Sequence, residues 1–303
     1  MIMNIIVAMT MLLLAFAFTT PLLAKSDDFS LVIKVGEEYN SNLTIEELDI
    51  ESNESGILTN LELFADYKFE INSDNRLMLG YEFNQSLHDD LSEFDTQNHG
   101  FTIGYELDIY SHMFTTDYIY YDTQLDGDDL LDITFISPAF SYFLSDTTLI
   151  RFAYNYIDKQ FDYLIERSAE NNGGEISMYI FSDDAQSYFR WALATESEDA
   201  IFEELDFSSF KGTLSLKSMA KWLSDEAVFK ASISYADREY DSITQEINAI
   251  RTETRTQFKS SLSYPFNESI NFILSYEYSD RSSNLPVADY DENRVLISVE
   301  FNL

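Results

Sequence analysis

The chain predicts an all-β protein, a transmembrane antiparallel up-and-down β-barrel of about 14 strands, with 12 or 16 as neighbouring solutions. Three observations predict it. Past residue 28, apolar and polar residues alternate, and no segment holds a 3.6-residue apolar pattern over three turns. The composition, 20 Tyr and 24 Phe against 9 Gly and 4 Pro, suits many strands with aromatic surfaces. The final segment sets Val295, Ile297, Val299, Phe301 and Leu303 on one face and Ser298, Glu300 and Asn302 on the other. A chain that stops on such a strand leaves its apolar face for lipid to cover. That strand is also the expected handle for the barrel-assembly machinery.

The elements follow in order. Residues 1–24 are almost wholly apolar and read as a secretory signal peptide, so that 25–303 form the barrel domain. An uncleaved anchor helix is the competing reading, and Asn4 and Thr10 interrupt it. Strands are expected at 29–40, 57–71, 76–84, 100–110, 113–123, 132–143, 148–157, 175–181, 187–195, 207–217, 227–237, 254–264, 270–279 and 294–303. Pro138 and the short 175–181 run make two of these the least marked. Tight turns at 72–75, 111–112, 145–146, 183–184 and 265–267 alternate with mostly longer connections, the asymmetry of outer-membrane barrels. An even strand number then places both termini in the periplasm of a Gram-negative cell.

Parity names the faces. Phe101, Ile103, Tyr105, Leu107 and Ile109 face lipid on one strand, and Ile270, Phe272, Leu274, Tyr276 and Tyr278 on another. Tyr264 at the turn side, with Tyr118, Tyr120, Tyr276 and Tyr278 toward the loop side, supply aromatic girdles. A soluble β-sandwich with these rings inside would give the first and last segments no common explanation. The opposite parity puts an acidic wall of Glu62, Asp66, Glu82, Glu106, Asp108 and Asp117 in the lumen. A basic wall of Arg151, Arg190, Lys211, Lys217, Lys230 and Lys259 stands across from it. Such a division gives a transverse field able to orient dipolar solutes in a partly hydrated pore; pairing between neighbouring strands that plugs the lumen is the other outcome.

Charge excludes some functions. With 18 Lys plus Arg against 54 Asp plus Glu, and a net charge of −36, nucleic acid is not an expected partner. The absence of cysteine excludes lipoprotein anchoring, disulfides and thiol chemistry. Two stretches hold acids and no base, 41–56 (Glu46, Glu47, Asp49, Glu51, Glu54) and 196–206. They read as solvated outer loops, with divalent-bridged contact to lipopolysaccharide as the functional alternative. Asp126, Asp128, Asp129 and Asp132 lack the ligand spacing of an EF-hand and read as a turn, so no metal and no cofactor is expected. Of the histidines His88, His99 and His112, only His88, beside Asp89 and Asp90, is a candidate acid–base group, and an enzyme is not expected.

Three local patterns carry a resemblance: Tyr39-Asn40-Ser41-Asn42; Leu125-Asp126-Gly127; and Ser283, Asn284, Pro286, Tyr290 and Asn293 leading into the last strand. Together they resemble the barrel domain of the surface lipoprotein assembly modifier family and related uncharacterised porin-like barrels. The resemblance implies a fourteen-stranded barrel that assists surface delivery of lipoproteins. Its helical-repeat domain has no counterpart here, so that role implies a periplasmic partner protein. Three functions stay open: a porin-like channel, an export or assembly factor for lipoproteins or polymer, and a structural or adhesive barrel.

Overall fold

Side chains that alternate at a period of two fall on opposite faces of a sheet, and closing the sheet leaves no unpaired edge in lipid. The structure, a computed structural model, describes residues 28–303, so the predicted signal peptide lies outside the described residues. The wall consists of β1 (Phe29–Asn40), β4 (Gly56–Asn72), β5 (Asn75–His88), β6 (Thr96–Ile109), β7 (His112–Leu125), β8 (Asp128–Ser145) and β9 (Thr148–Phe161). It continues through β10 (Ala169–Phe181), β11 (Tyr188–Ala200), β12 (Phe207–Met219), β13 (Val228–Thr244), β14 (Ala249–Asn267), β15 (Ile270–Ser283) and β16 (Tyr290–Asn302). These fourteen strands form a closed barrel in chain order, each antiparallel to its neighbours. β1 closes on β16, with Val32 opposite Asn302 and Asn40 opposite Arg294. A separate hairpin, β2 (Thr44–Ile45) with β3 (Ile50–Glu51), stands between β1 and β4.

All the expected strands are present, including the two with the weakest local signal. Pro138 has no N–H to donate, and the β8–β9 ladder skips Ser137 and Pro138 between the Ile136–Tyr156 and Ala139–Ala153 pairs. There Ser137 Oγ donates to Asn155 Oδ1 at 2.8 Å instead. The main difference from expectation is length at one end. β5 reaches His88, β10 begins at Ala169, β13 runs to Thr244 and β15 to Ser283. The 196–206 run is therefore partly strand, with Glu196 and Glu198 on the inward side of β11. On these extensions the outward positions are polar as well, as at Asp199, Asp237, Glu239 and Asp280, so alternation disappears although the ladder continues.

Tight turns at 73–74, 110–111, 146–147 and 268–269 share one end with the start of β1 and the last residue of β16. His112, expected in a turn, is the first residue of β7 and stacks on Tyr142. Residues 220–227 make a longer connection at that same end; the opposite end holds the other long connections and one equally tight hairpin. Its turn uses Asp126 (φ 53°) and Gly127 (φ 82°), two left-handed residues in succession, as a hairpin of matched twist requires.

The outward side of the wall is an exposed apolar belt, represented by Phe69, Leu79, Ile103, Phe152, Leu214, Ile233, Leu274 and Ile297. Exposed Tyr39, Tyr118, Tyr154, Tyr235 and Tyr276 border it toward the loop end, and Tyr264 and Phe266 toward the turn end. Amphipathic rings at both rims match the two interfaces of a bilayer. The buried apolar clusters are small and lie at the loop end. One joins Leu43, Leu58 and Phe94; the other joins Leu130, Leu131 and Phe161, with Leu48 against it.

Candidate functional site

Those two clusters show that the first loop packs against the wall at two places. Leu43, just past β1, is anchored at one wall, and Leu48 packs on the β8–β9 side. The loop is shaped by hydrogen bonds near its base. Asn42 N–H donates to Asn40 Oδ1 at 3.0 Å, Asn53 N–H to Asn42 Oδ1 at 3.0 Å, and Ser52 N–H to the Leu43 carbonyl at 2.8 Å. Ser41 and Asn293 exchange two bonds, N–H to carbonyl at 2.9 Å and N–H to Oγ at 2.8 Å. The Tyr39–Asn42 pattern and the Asn293 pattern are thus halves of one staple that turns the chain inward. A 3₁₀ turn, Glu46–Leu48, then ends at Asp49 in the left-handed region (φ 54°).

This conformation delivers Asp49 between the β14–β15 wall and the turn that follows β9. Arg251 of β14 grips it with both terminal nitrogens, Nη1 to Oδ2 at 3.2 Å and Nη2 to Oδ1 at 2.8 Å. Arg281 of β15 adds Nη2 to Oδ1 at 2.6 Å. Arg167, in the 3₁₀ turn after β9, adds two bonds to Oδ2 at 3.3 Å. On either side Glu46 pairs with Arg255 and Glu47 with Lys159 (3.2 Å). Beneath them Glu253, fully buried, accepts from Arg251 Nε at 2.7 Å, Arg281 Nη2 at 2.9 Å and Arg255 Nη2 at 2.9 Å. Residues 41–55 therefore cross the lumen as a bar latched by carboxylates. The reading of this stretch as a solvated acidic loop holds only in part: Glu46, Glu47 and Glu54 are exposed, but Glu46, Glu47 and Asp49 also pair with cations of the wall.

Burial pushes the Asp49 carboxyl up, but the Arg251 hydrogen bonds and the charges of Arg281 and Arg167 outweigh it and hold the group below the usual carboxylate range. Glu46 is shifted the same way, burial opposing and Arg255 prevailing. A carboxyl whose docked pKa is depressed adds stability above its free value of about 3.9–4.3 and loses it as pH falls through the docked value. The latch is thus expected to hold at neutral pH and weaken below about pH 4.

Under the bar the lumen is not filled. A cavity of about 460 Å³ is lined by Ser215, Ser232, Ser261, Ser275, Lys230, Lys259 and Glu277. A second, of about 320 Å³, lies by Asn60, Glu62, Asn84 and His88. Glu38, Arg294 and Leu296 border both. The register puts the acidic-wall and basic-wall residues on the inward side of their strands, but they are not equally free. Glu62 holds Lys34 (2.7 Å), Arg76 bridges Glu106 and Asp108, Arg190 holds Glu175 (2.6 Å), and Lys259 holds Glu277 (3.2 Å). Lys34 and Arg76, on the acidic side, dilute that wall. No salt bridge ties Asp66, Glu82, Asp117, Arg151, Lys211, Lys217 or Lys230 to another described residue, and Lys217 stands directly opposite Lys230. Like charges opposed across strands repel, so this pair needs water or anions beside it.

The histidines are dispersed. His88 Nδ1 meets Asp95 Oδ1 at 3.1 Å, not Asp89 or Asp90; His99 bonds the Tyr81 hydroxyl at 2.9 Å; His112 lies at the turn end. Tyr120 donates to Asp132 at 2.9 Å and Gln124 to Asp129 at 2.9 Å, so the acidic 126–132 stretch braces its own hairpin.

The family described as "Putative beta-barrel porin 2" matches residues 210–303, about the last third of the chain. It is a porin family, not the surface lipoprotein assembly modifiers that the local patterns resemble. No curated protein matches the chain. Among solved structures, in-vitro folded OmpT, an outer membrane protein of Vibrio cholerae, is similar with a TM-score of 0.51 and 10% identity, over 93% of this chain and 99% of that one. Acinetobacter baumannii OccAB4 is similar with a TM-score of 0.50 and 10% identity, over 92% of this chain and 99% of that one. At such identities the likeness is one of fold: a porin-like β-barrel.

Proposed function

We propose that the chain is an outer-membrane porin-like channel with a polarised, partly hydrated lumen, closed at its outer mouth by the first loop. The observation that carries this reading is the latch. Three guanidiniums from three separate elements converge on one loop carboxylate, above polar cavities that side chains leave open. A barrel with only a structural role needs neither the cavities nor unpaired lysines facing them. Fourteen strands give a lumen narrower than that of 16- to 18-stranded porins, so one crossing loop suffices to shut it. The turn end, with both barrel termini, faces the periplasm in this reading. The strand extensions project outward, their Asp237, Glu239 and Asp280 placed for divalent-bridged contact with lipopolysaccharide.

Selectivity follows from the inward charges not already neutralised. Lys211→Glu together with Lys230→Glu shifts the reversal potential toward cations when the channel is held under a salt gradient. An unchanged reversal potential in a conducting double variant contradicts the polarised lumen.

A further inference from the structure

We propose that the cationic wall under the first loop is a binding site for an anion bearing several carboxylates, and that the loop's own acids occupy it as a built-in competitor; the proposal rests on the channel reading above. The loop presents three carboxylates to the wall, each against its own cation: Glu46 to Arg255, Glu47 to Lys159 and Asp49 to Arg251. These cations sit on β14 and β9, on different parts of the wall, so a ligand that replaces the loop carries its carboxylates at intervals along an extended backbone, as an acidic oligosaccharide does. Take the loop acids away, and Lys159, Arg167, Arg238, Arg251, Arg255 and Arg281 face only Glu198 and Glu253. Such an excess of positive charge, with Arg251 and Arg281 buried within it, favours an anion in place of the loop acids.

The wall is built to receive one. Arg238 lies over the Phe207 ring at 3.6 Å, Arg251 over Tyr240 at 4.5 Å and Arg281 over Tyr290 at 5.7 Å. Such contacts with ring faces help to hold the guanidiniums in place while their N–H groups remain able to meet a carboxylate. Arg281, 4% exposed, still has Nη1 without a hydrogen-bond partner among the described residues, and Arg238 Nε is in the same state. The loop therefore uses the site without saturating it.

The test uses the refolded full barrel in planar bilayers at pH 7, with citrate and an oligogalacturonate as probes and chloride or sulfate at equal ionic strength as controls. Both carboxylate probes are expected to raise the open probability of the unmodified barrel saturably, the oligogalacturonate, which reaches cations on both β9 and β14, at a lower concentration than the compact citrate, and the controls are not. In Glu46→Gln/Glu47→Gln/Asp49→Asn the competitor is gone, and the same probes interrupt the open current at a half-saturating concentration about tenfold lower. Adding Arg167→Gln and Arg255→Gln to that variant raises it again by about tenfold. A carboxylate effect no larger than that of sulfate reduces the site to charge screening and overturns the proposal. A triple variant that stays shut overturns the gate instead. Titration calorimetry with oligogalacturonate on that same protein then decides the site separately: a saturable heat supports it, and none overturns it.

Discussion

Replacing Asp49 with alanine turns a mostly closed barrel into a steadily conducting one. The substitution removes the acceptor shared by Arg251, Arg281 and Arg167 and leaves the first two guanidiniums, almost fully buried, one partner short. Breaking a buried ion pair by deleting one member costs about 3–5 kcal/mol. Part of that cost is recovered here because Glu253 still holds Arg251 and Arg281. Even half of it, at about 1.4 kcal/mol per decade, moves the closed-to-open ratio by more than about tenfold. Asp49→Glu keeps the charge but not the reach set by the left-handed turn at 49, and an intermediate open probability is expected. Single-channel recording reads both variants directly; closures as long-lived in Asp49→Ala as in the unmodified chain contradict the latch.

Placing a charge on the lipid side destabilises the barrel where the neighbouring residue tolerates it. Leu274 is 49% exposed on the outward side of β15, between Leu262 and Ile297, near the middle of the belt. Leu274→Arg is expected to cost about 2–4 kcal/mol. Ser275 points the other way, into the larger cavity, and Ser275→Arg meets water and Glu277 rather than hydrocarbon. Denaturant unfolding from phosphatidylcholine vesicles measures the two side by side. Equal losses of stability contradict the assignment of faces.

The fold was legible in the sequence because lipid on one side and water on the other imprint a period of two, and fourteen segments carried it. The signal stops where lipid stops. At 169–174 and 238–244 polar residues fall on both faces and the few apolar ones, such as Tyr240 and Ile243, do not alternate, so the β10 and β13 extensions left no period of two to read. Parity sorted the charged residues onto one face of each strand, but it missed Lys34 and Arg76, which pair with Glu62 and Glu106 on the acidic side. The latch was not legible, because its partners are joined by shape and not by spacing. Asp49 meets residues 118, 202 and 232 positions away. Its only trace was complementary composition: an acidic run without a base, and Arg251, Arg255 and Arg281 clustered on the inward side of two adjacent strands. Acidic runs are so often solvated that composition alone pointed the wrong way.

The central claim is that the first loop closes a hydrated, polarised barrel through ionised carboxylates. The most direct test is single-channel conductance of refolded residues 25–303 as both chambers are taken from pH 7 to pH 3. Rare, brief openings are expected at pH 7 and progressively longer ones as pH falls from about 4 to 3, because the undocked carboxyls of Asp49 and Glu46 take up protons first and the docked ones only below their depressed values. The Glu46→Gln/Glu47→Gln/Asp49→Asn variant is expected to conduct steadily across the whole range. A conductance already steady at pH 7 and unchanged by acid, or an inserted barrel silent at every pH in both proteins, contradicts it.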